Sequence, residues 1–319
     1  MMTSSNVLDP IRQVFIFGSL IISTLSNWIY QFFFGTKKVA KVEGFVASGF
    51  EGVRDAFRKN LESGWEPDGA ALAVYHKGRL VVDIWGGYCD KESRRFWKQD
   101  SLAVIFSATK AVSALYLDLH IGLPFSEAHR VARIRLPTFR QRISEYFHNP
   151  SAVNYGRFLC DFASDGILSK VEKNPDWLRF VKEMTLNNPE YYFLEQGALM
   201  GIGTARSLAK LFSITIIEKK IFKNSKTLEK FLTPFTSGED IVTGAKVSRG
   251  QGLMFSDFFL PSGIKHRMIG HAGYGGQNVK FDPVHGLSFS YVSNGLKVGF
   301  GDSARTFIKL RDAIYESQL

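Results

Sequence analysis

The chain has 319 residues, 45% of them hydrophobic, and carries a formal net charge of +10 at pH 7. This is enough apolar material for one large or two modest domains, and the 29 glycines and 28 phenylalanines suit a compact, turn-rich mixed fold. Such a positive balance invites a nucleic-acid or anionic-membrane partner. The lysines and arginines are scattered, however, with no aromatic-basic stripe, which argues against nucleic acid and leaves a weak bias towards acidic membrane faces. Cys89 and Cys160 stand far apart, and the seven histidines form no His-x-His or His-Glu-x-x-His cluster, so a metal-dependent hydrolase is disfavoured and no cofactor or metal is expected.

Residues 14–34 form the first element, a span without a charge that is long enough to cross a bilayer core as a helix. Trp28 and Tyr30 near its end resemble an interfacial belt, Arg12 precedes it, and Lys37, Lys38 and Lys41 follow. A single-pass membrane anchor is the expectation, with the main body on the cytoplasmic side. A cleaved signal peptide lacks a small-x-small site, and a buried helix of the following domain is the other alternative. Residues 1–43 are therefore read as an N-terminal segment and 44–319 as one domain. Within that domain, 48–64 has helical periodicity, and 68–90 reads as a β-hairpin turning at Lys77-Gly78. The stretch 122–194 is irregular. It contains an arginine-rich amphipathic run from Arg130 to Phe147 and a helical pattern at 176–184. A helix over 201–216, capped by Thr204, precedes strands separated by glycine turns and a terminal helix at 303–316. A strand hairpin, then helices, then strands and a helix fit an α+β protein. Its antiparallel sheet is completed by both chain ends, with a helical region inserted between them.

Ser-x-x-Lys occurs three times, at Ser107, Ser207 and Ser262. On a helix, residues three apart share a face, so a lysine can sit beside a serine hydroxyl and take its proton once burial lowers the amine's pKa. Ser107 is favoured. An apolar run, Leu102 to Phe106, leads into it, and Ala108, Ala111 and Ala114 permit close helix packing, which would carry Lys110 into an interior. Ser207 lies within a helix, where Lys210 would snorkel, and Ser262 follows a proline in a loop.

These segments, in this order, resemble the serine β-lactamase-like family of class C β-lactamases, penicillin-binding proteins and related esterases. The hairpin "GAALAVYHKGRLVVDIWGGYCD", the segment "WKQDSLAVIFSATKAVSAL", the helix "GIGTARSLAKLF" and the strand pair "IGHAGYGGQNVKFDPVHGLSFSYVSNG" carry the likeness. The resemblance implies a β-lactamase/transpeptidase-like antiparallel sheet flanked by helices and an acyl-transfer mechanism on a small-molecule or peptide substrate. Ser107 would be the nucleophile and Lys110 its base. The backbone N–H groups of Ser107 and Tyr274 would form the oxyanion hole. His271, in the element His271-Ala272-Gly273, would line the facing wall. The family's Tyr-x-Asn element is missing: Tyr146 with Asn149 and Tyr291 with Asn294 are each one residue too long. The helical region also reads as several tens of residues short of the family's usual length. Tyr155, Tyr191 and Tyr192 are the candidates to replace the lost tyrosine. Without one, the reading is a serine hydrolase of impaired activity, or alternatively an inactive binding or scaffold protein at a membrane.

Overall fold

The computed structural model describes residues 40–113, 120–150, 154–173, 175, 177–179, 183–222, 224–298 and 301–317. The expected anchor at 14–34 lies outside them, and among the described residues no helix is long and apolar enough to cross a membrane.

The strands are β1 (Val42–Val46), β2 (Gly69–His76), β3 (Arg79–Asp90), β4 (Arg95–Phe96), β5 (Ala103–Val104), β6 (Ile202–Gly203), β7 (Thr236–Glu239), β8 (Lys246–Arg249), β9 (Met254–Phe259), β10 (Lys265–Ala272), β11 (Asn278–Asp282) and β12 (Leu287–Ser293). The helices are α1 (Glu51–Glu62), α2 (Thr109–Ser113), α3 (Phe139–His148), α4 (Tyr155–Ala163), α5 (Ile167–Lys173), α6 (Ala205–Phe212), α7 (Ser225–Phe231) and α8 (Arg305–Glu316).

The main sheet has the order β1-β3-β2-β12-β11-β10-β9-β8-β7, with antiparallel neighbours throughout. The first hairpin meets the last strand, Ala70 to His76 pairing with Ser293 to Leu287, so both chain ends build one sheet. Val42 and Glu43 pair with Gly86 and Trp85, which moves the start of the folded domain two residues ahead of the expected boundary at Gly44.

Period-2 alternation assigns the two faces. Ala70, Leu72 and Val74 of β2 pack with Phe289 and the inner faces of α1 (Val53, Phe57) and α8 (Phe307, Leu310, Ile314). Ala73 and Tyr75 point the other way, with Val279, Phe281 and Val292, against Leu208, Ala209 and Phe212 of α6. A third cluster lies beneath the inserted region and joins Leu102, Val104 and Phe106 to Leu123, Val131, Tyr192, Met200 and Ile202.

The inserted region departs most from expectation. Of the arginine-rich amphipathic run, only Phe139–His148 is helical, entered through a capping box between Thr138 and Gln141. Residues 131–138 are extended because their backbone is claimed elsewhere: Ala132 N donates to Leu102 O, Arg133 N to Cys89 O and Arg135 N to Asn294 O. The described residues of 176–184 are not helical either. Thr185 N donates to Arg179 O and its hydroxyl accepts from Arg179 N, a closure that returns the chain and buries Leu178. Tertiary pairing overrides the local pattern at 131–138, and a local closure does so at Arg179 and Thr185.

Candidate active site

Ser107 sits where the second of these core clusters, that of Ala73 and Tyr75, meets the third. Ala103 and Ile105 alternate into one, and Val104 and Phe106 into the other. The chain then turns through a short 3₁₀ segment, Phe106–Ala108, into α2, and residues 114–119 of the expected helix lie outside the described ones. Phe106 has φ of +49°, a conformation that costs a bulky L-residue about 1–2 kcal/mol. Two devices hold it. Its ring is buried edge-on to Tyr274 at 5.6 Å. Thr109 Oγ1 donates to Phe106 O at 2.5 Å and accepts from Gly201 N at 2.8 Å. A Cβ on Gly201 would lie 2.6 Å from Thr109 Oγ1, so this crossing requires glycine.

Lys110 Nζ donates to Ser107 Oγ at 3.1 Å and to Ala198 O at 2.8 Å. The lysine does not enter an interior as expected; the residue as a whole is exposed. Its ammonium nevertheless lies against a hydroxyl and a carbonyl instead of bulk water, and this desolvation lowers its pKa. Among the described residues, the other two Ser-x-x-Lys pairs show no serine–lysine hydrogen bond. Thr204 caps α6 by accepting from Ser207 N while Lys210 lies over the Tyr75 ring, and Ser262 occupies the turn between β9 and β10.

β10 supplies the facing wall. A Cβ on Gly273 would lie 2.3 Å from Ile105 O, so the strand end touches the Ser107 turn backbone to backbone. Gly273 N donates to Gln277 O at 2.7 Å, which fixes the turn that presents Tyr274. His271 Nδ1 lies 2.6 Å from Ala272 O. A carbonyl can only accept, so the neutral ring carries its proton on Nδ1 and a lone pair on Nε2. Desolvation pulls the His271 pKa down to about 4; the bond to Ala272 opposes this, and the charges of Lys280 and Lys110 add to it. His271 is a neutral acceptor beside a lysine pair.

Sequence reasoning missed three contributors. Ala198 O anchors Lys110 through its backbone alone, which leaves no residue signature. Thr109 looks like any helical threonine. Lys280 is fully buried in β11 and held by Asp302 at 2.8 Å, while Ser256 Oγ donates to the same carboxylate at 2.6 Å. A lysine inside the apolar run "NVKFD" was its one available signal.

Among the described residues, neither Tyr191 nor Tyr192 hydrogen-bonds to Ser107 or Lys110. Tyr192 is buried in the third cluster, and burial pushes its pKa up to about 12. Tyr191 packs on Trp177 at 5.4 Å, and the Tyr155 side chain lies outside the described residues. Of the two near-matches to Tyr-x-Asn, Tyr291 is buried with its hydroxyl on Glu66 and Thr306, while Asn294 ties Gly69 N to Cys89 O and Arg133 O. Two concavities stand out: a cleft of about 260 Å³ beside Asp68 and Arg135, and a groove of about 630 Å³ between α1 and α8. Neither is lined by Ser107, Lys110 or His271.

The Beta-lactamase family model matches residues 57–121 and 116–313. The chain belongs to that family. Among curated proteins, Esterase/beta-lactamase LipL of Mycobacterium tuberculosis (strain ATCC 25618 / H37Rv) is 35% identical over 79 residues, which is 25% of this chain and 16% of that relative. Among solved structures, a penicillin-binding protein homolog from Caulobacter crescentus is similar with a TM-score of 0.65 at 20% identity, covering 87% of this chain and all (100%) of that one. A family VIII carboxylesterase follows with a TM-score of 0.63 at 19% identity, covering 87% of this chain and 100% of its own. The likeness to these two solved structures shows the β-lactamase/transpeptidase-like fold.

Proposed function

We propose that the chain forms an acyl-enzyme through Ser107, with Lys110 as base, on a small-molecule or peptide acyl substrate. The observation that carries this reading is the 3.1 Å contact between Lys110 Nζ and Ser107 Oγ. As a free amine, Lys110 keeps one N–H on Ala198 O and turns its lone pair to the serine hydroxyl. Ser107 Oγ then bonds to the carbonyl carbon as its proton passes to Lys110, and the leaving group departs with a proton returned from the amine. The backbone N–H groups of Ser107 and Tyr274 are assigned to the developing oxyanion, and Gly273 lets β10 approach closely enough for that. His271 accepts a hydrogen bond from substrate at Nε2.

Deacylation is the slow step. Water is a weaker nucleophile than the lysine-paired serine, and among the described residues no tyrosine phenol takes part in the Ser107–Lys110 pair. The product is a long-lived acyl-enzyme and low turnover. A fluorophosphonate probe tests the assignment: peptide mapping should place the label on Ser107 and Ser107→Ala should abolish it. A label on Ser207 or Ser262 would overturn it.

A further inference from the structure

A second polar cluster lies at the far end of the sheet. His266 is the second residue of β10, Asp282 ends β11, His285 lies in the turn before β12, and Tyr315 comes from the last turn of α8. His266 is 8% exposed, yet both its ring nitrogens are buried without a hydrogen-bond partner. A neutral imidazole always has one N–H and one lone pair to satisfy, and leaving them unmatched in a folded interior is costly. Its surroundings are already arranged. Asp282 Oδ2 lies 2.7 Å from His285 Nδ1 and accepts from Tyr315 OH at 2.9 Å. Asp282 Oδ1 accepts from Val284 N at 2.8 Å and His285 N at 3.2 Å. His285 Nδ1 and Asp282 Oδ2 already face one another, so an ion between them would take the place of the Nδ1 proton and leave the ring's proton on Nε2. The His266 and His285 rings are 4.9 Å apart.

We infer that His266, His285 and Asp282 form a binding site for a divalent transition metal, with zinc the best fit. One ligand atom from each residue lies within 4.8 Å of the others. A tetrahedral zinc with bonds of about 2.0–2.1 Å holds its ligand atoms about 3.4 Å apart, so small rotations of the two imidazoles close the set. Tyr315 OH holds the Asp282 carboxylate in place, a support of the kind that orients metal ligands. His285 is half-buried, which leaves a path for the ion and a place for water as the remaining ligand. The ligands come from one strand, the end of the next and a turn, which is why no sequence spacing disclosed them. His266 and His271 sit five positions apart on one strand, so the ion would be about 17 Å along the strand from the Ser107 wall. Its role is structural: it clamps β10 to the β11–β12 turn.

The test is zinc titration of metal-free, full-length protein against a chromogenic chelator, with cobalt(II) absorption as a second readout. The wild type should take up one equivalent and give the intense visible bands of a tetrahedral cobalt site. His266→Gln and His285→Gln should each weaken binding at least about tenfold, as should Tyr315→Phe through the loosened carboxylate. His129→Gln, on the surface, should bind as the wild type does. No stoichiometric uptake by the wild type would overturn the site whatever the variants do. So would unchanged affinity in folded His266→Gln and His285→Gln proteins.

Discussion

Thr109 does more for the candidate site than its place beside Ser107 suggests, because one hydroxyl satisfies Phe106 O and Gly201 N together. Thr109→Val keeps the shape and leaves both buried groups unmatched, at about 1–3 kcal/mol each. It should lower thermal stability and, by releasing the strained turn at Phe106, slow labelling of Ser107 more than the stability loss explains. Denaturant melts and labelling rates measured on the folded fraction check this. His271 makes a separate prediction about acid. Its folded pKa, about 4, lies below the ordinary value of 6.5. Between those limits the unfolded chain binds the extra proton, so stability is fully present above about pH 6.5 and falls as pH drops towards 4. His271→Gln should remove at most about 3 kcal/mol of that loss, read as a flatter stability profile between pH 7 and pH 4. At this scale the sequence disclosed side chains whose neighbours are local, such as Ser107 with Lys110. It did not disclose Thr109 with Gly201 or Lys110 with Ala198 O, where the partner is backbone and lies far along the chain.

Among the elements, β10 and the Ser107 turn meet with no room for a side chain. Gly273→Ala would place a methyl 2.3 Å from Ile105 O, and the neighbour is backbone that cannot swing aside. The strand end should shift away from Ser107. Probe labelling should fall by an order of magnitude or more while the far-UV circular dichroism spectrum stays that of the wild type; full labelling would show that the contact is dispensable. The opening hairpin was legible because its residues alternate with a period of two and its turn carries Gly78 at φ of +79°. The start of α6 was legible because Thr204 is a local cap. Residues 131–138 were not. Their arginine-rich pattern favours a helix, but Leu102, Cys89 and Asn294, all distant in sequence, take their backbone N–H or C=O groups. Local periodicity carries no information about such partners.

Across the whole molecule, β12 joins the N-terminal hairpin to the C-terminal strands, and the inserted region sits over the third core cluster at the Ser107 end. The order of segments made this architecture readable, since helices placed between two sets of strands leave few ways to close one antiparallel sheet. How the insert packs on the third cluster was not readable, because that depends on contacts between irregular segments. Pre-steady-state kinetics with an activated ester tests the central claim most directly: Ser107 acylates faster than it is released. The account predicts a stoichiometric burst followed by slow steady-state turnover, with the burst lost in Ser107→Ala and strongly slowed in Lys110→Ala. A wild type with no burst and no covalent adduct at Ser107 would contradict it. So would fast linear turnover that collapses in Tyr155→Phe, Tyr191→Phe or Tyr192→Phe, since one of those phenols would then be completing the proton path.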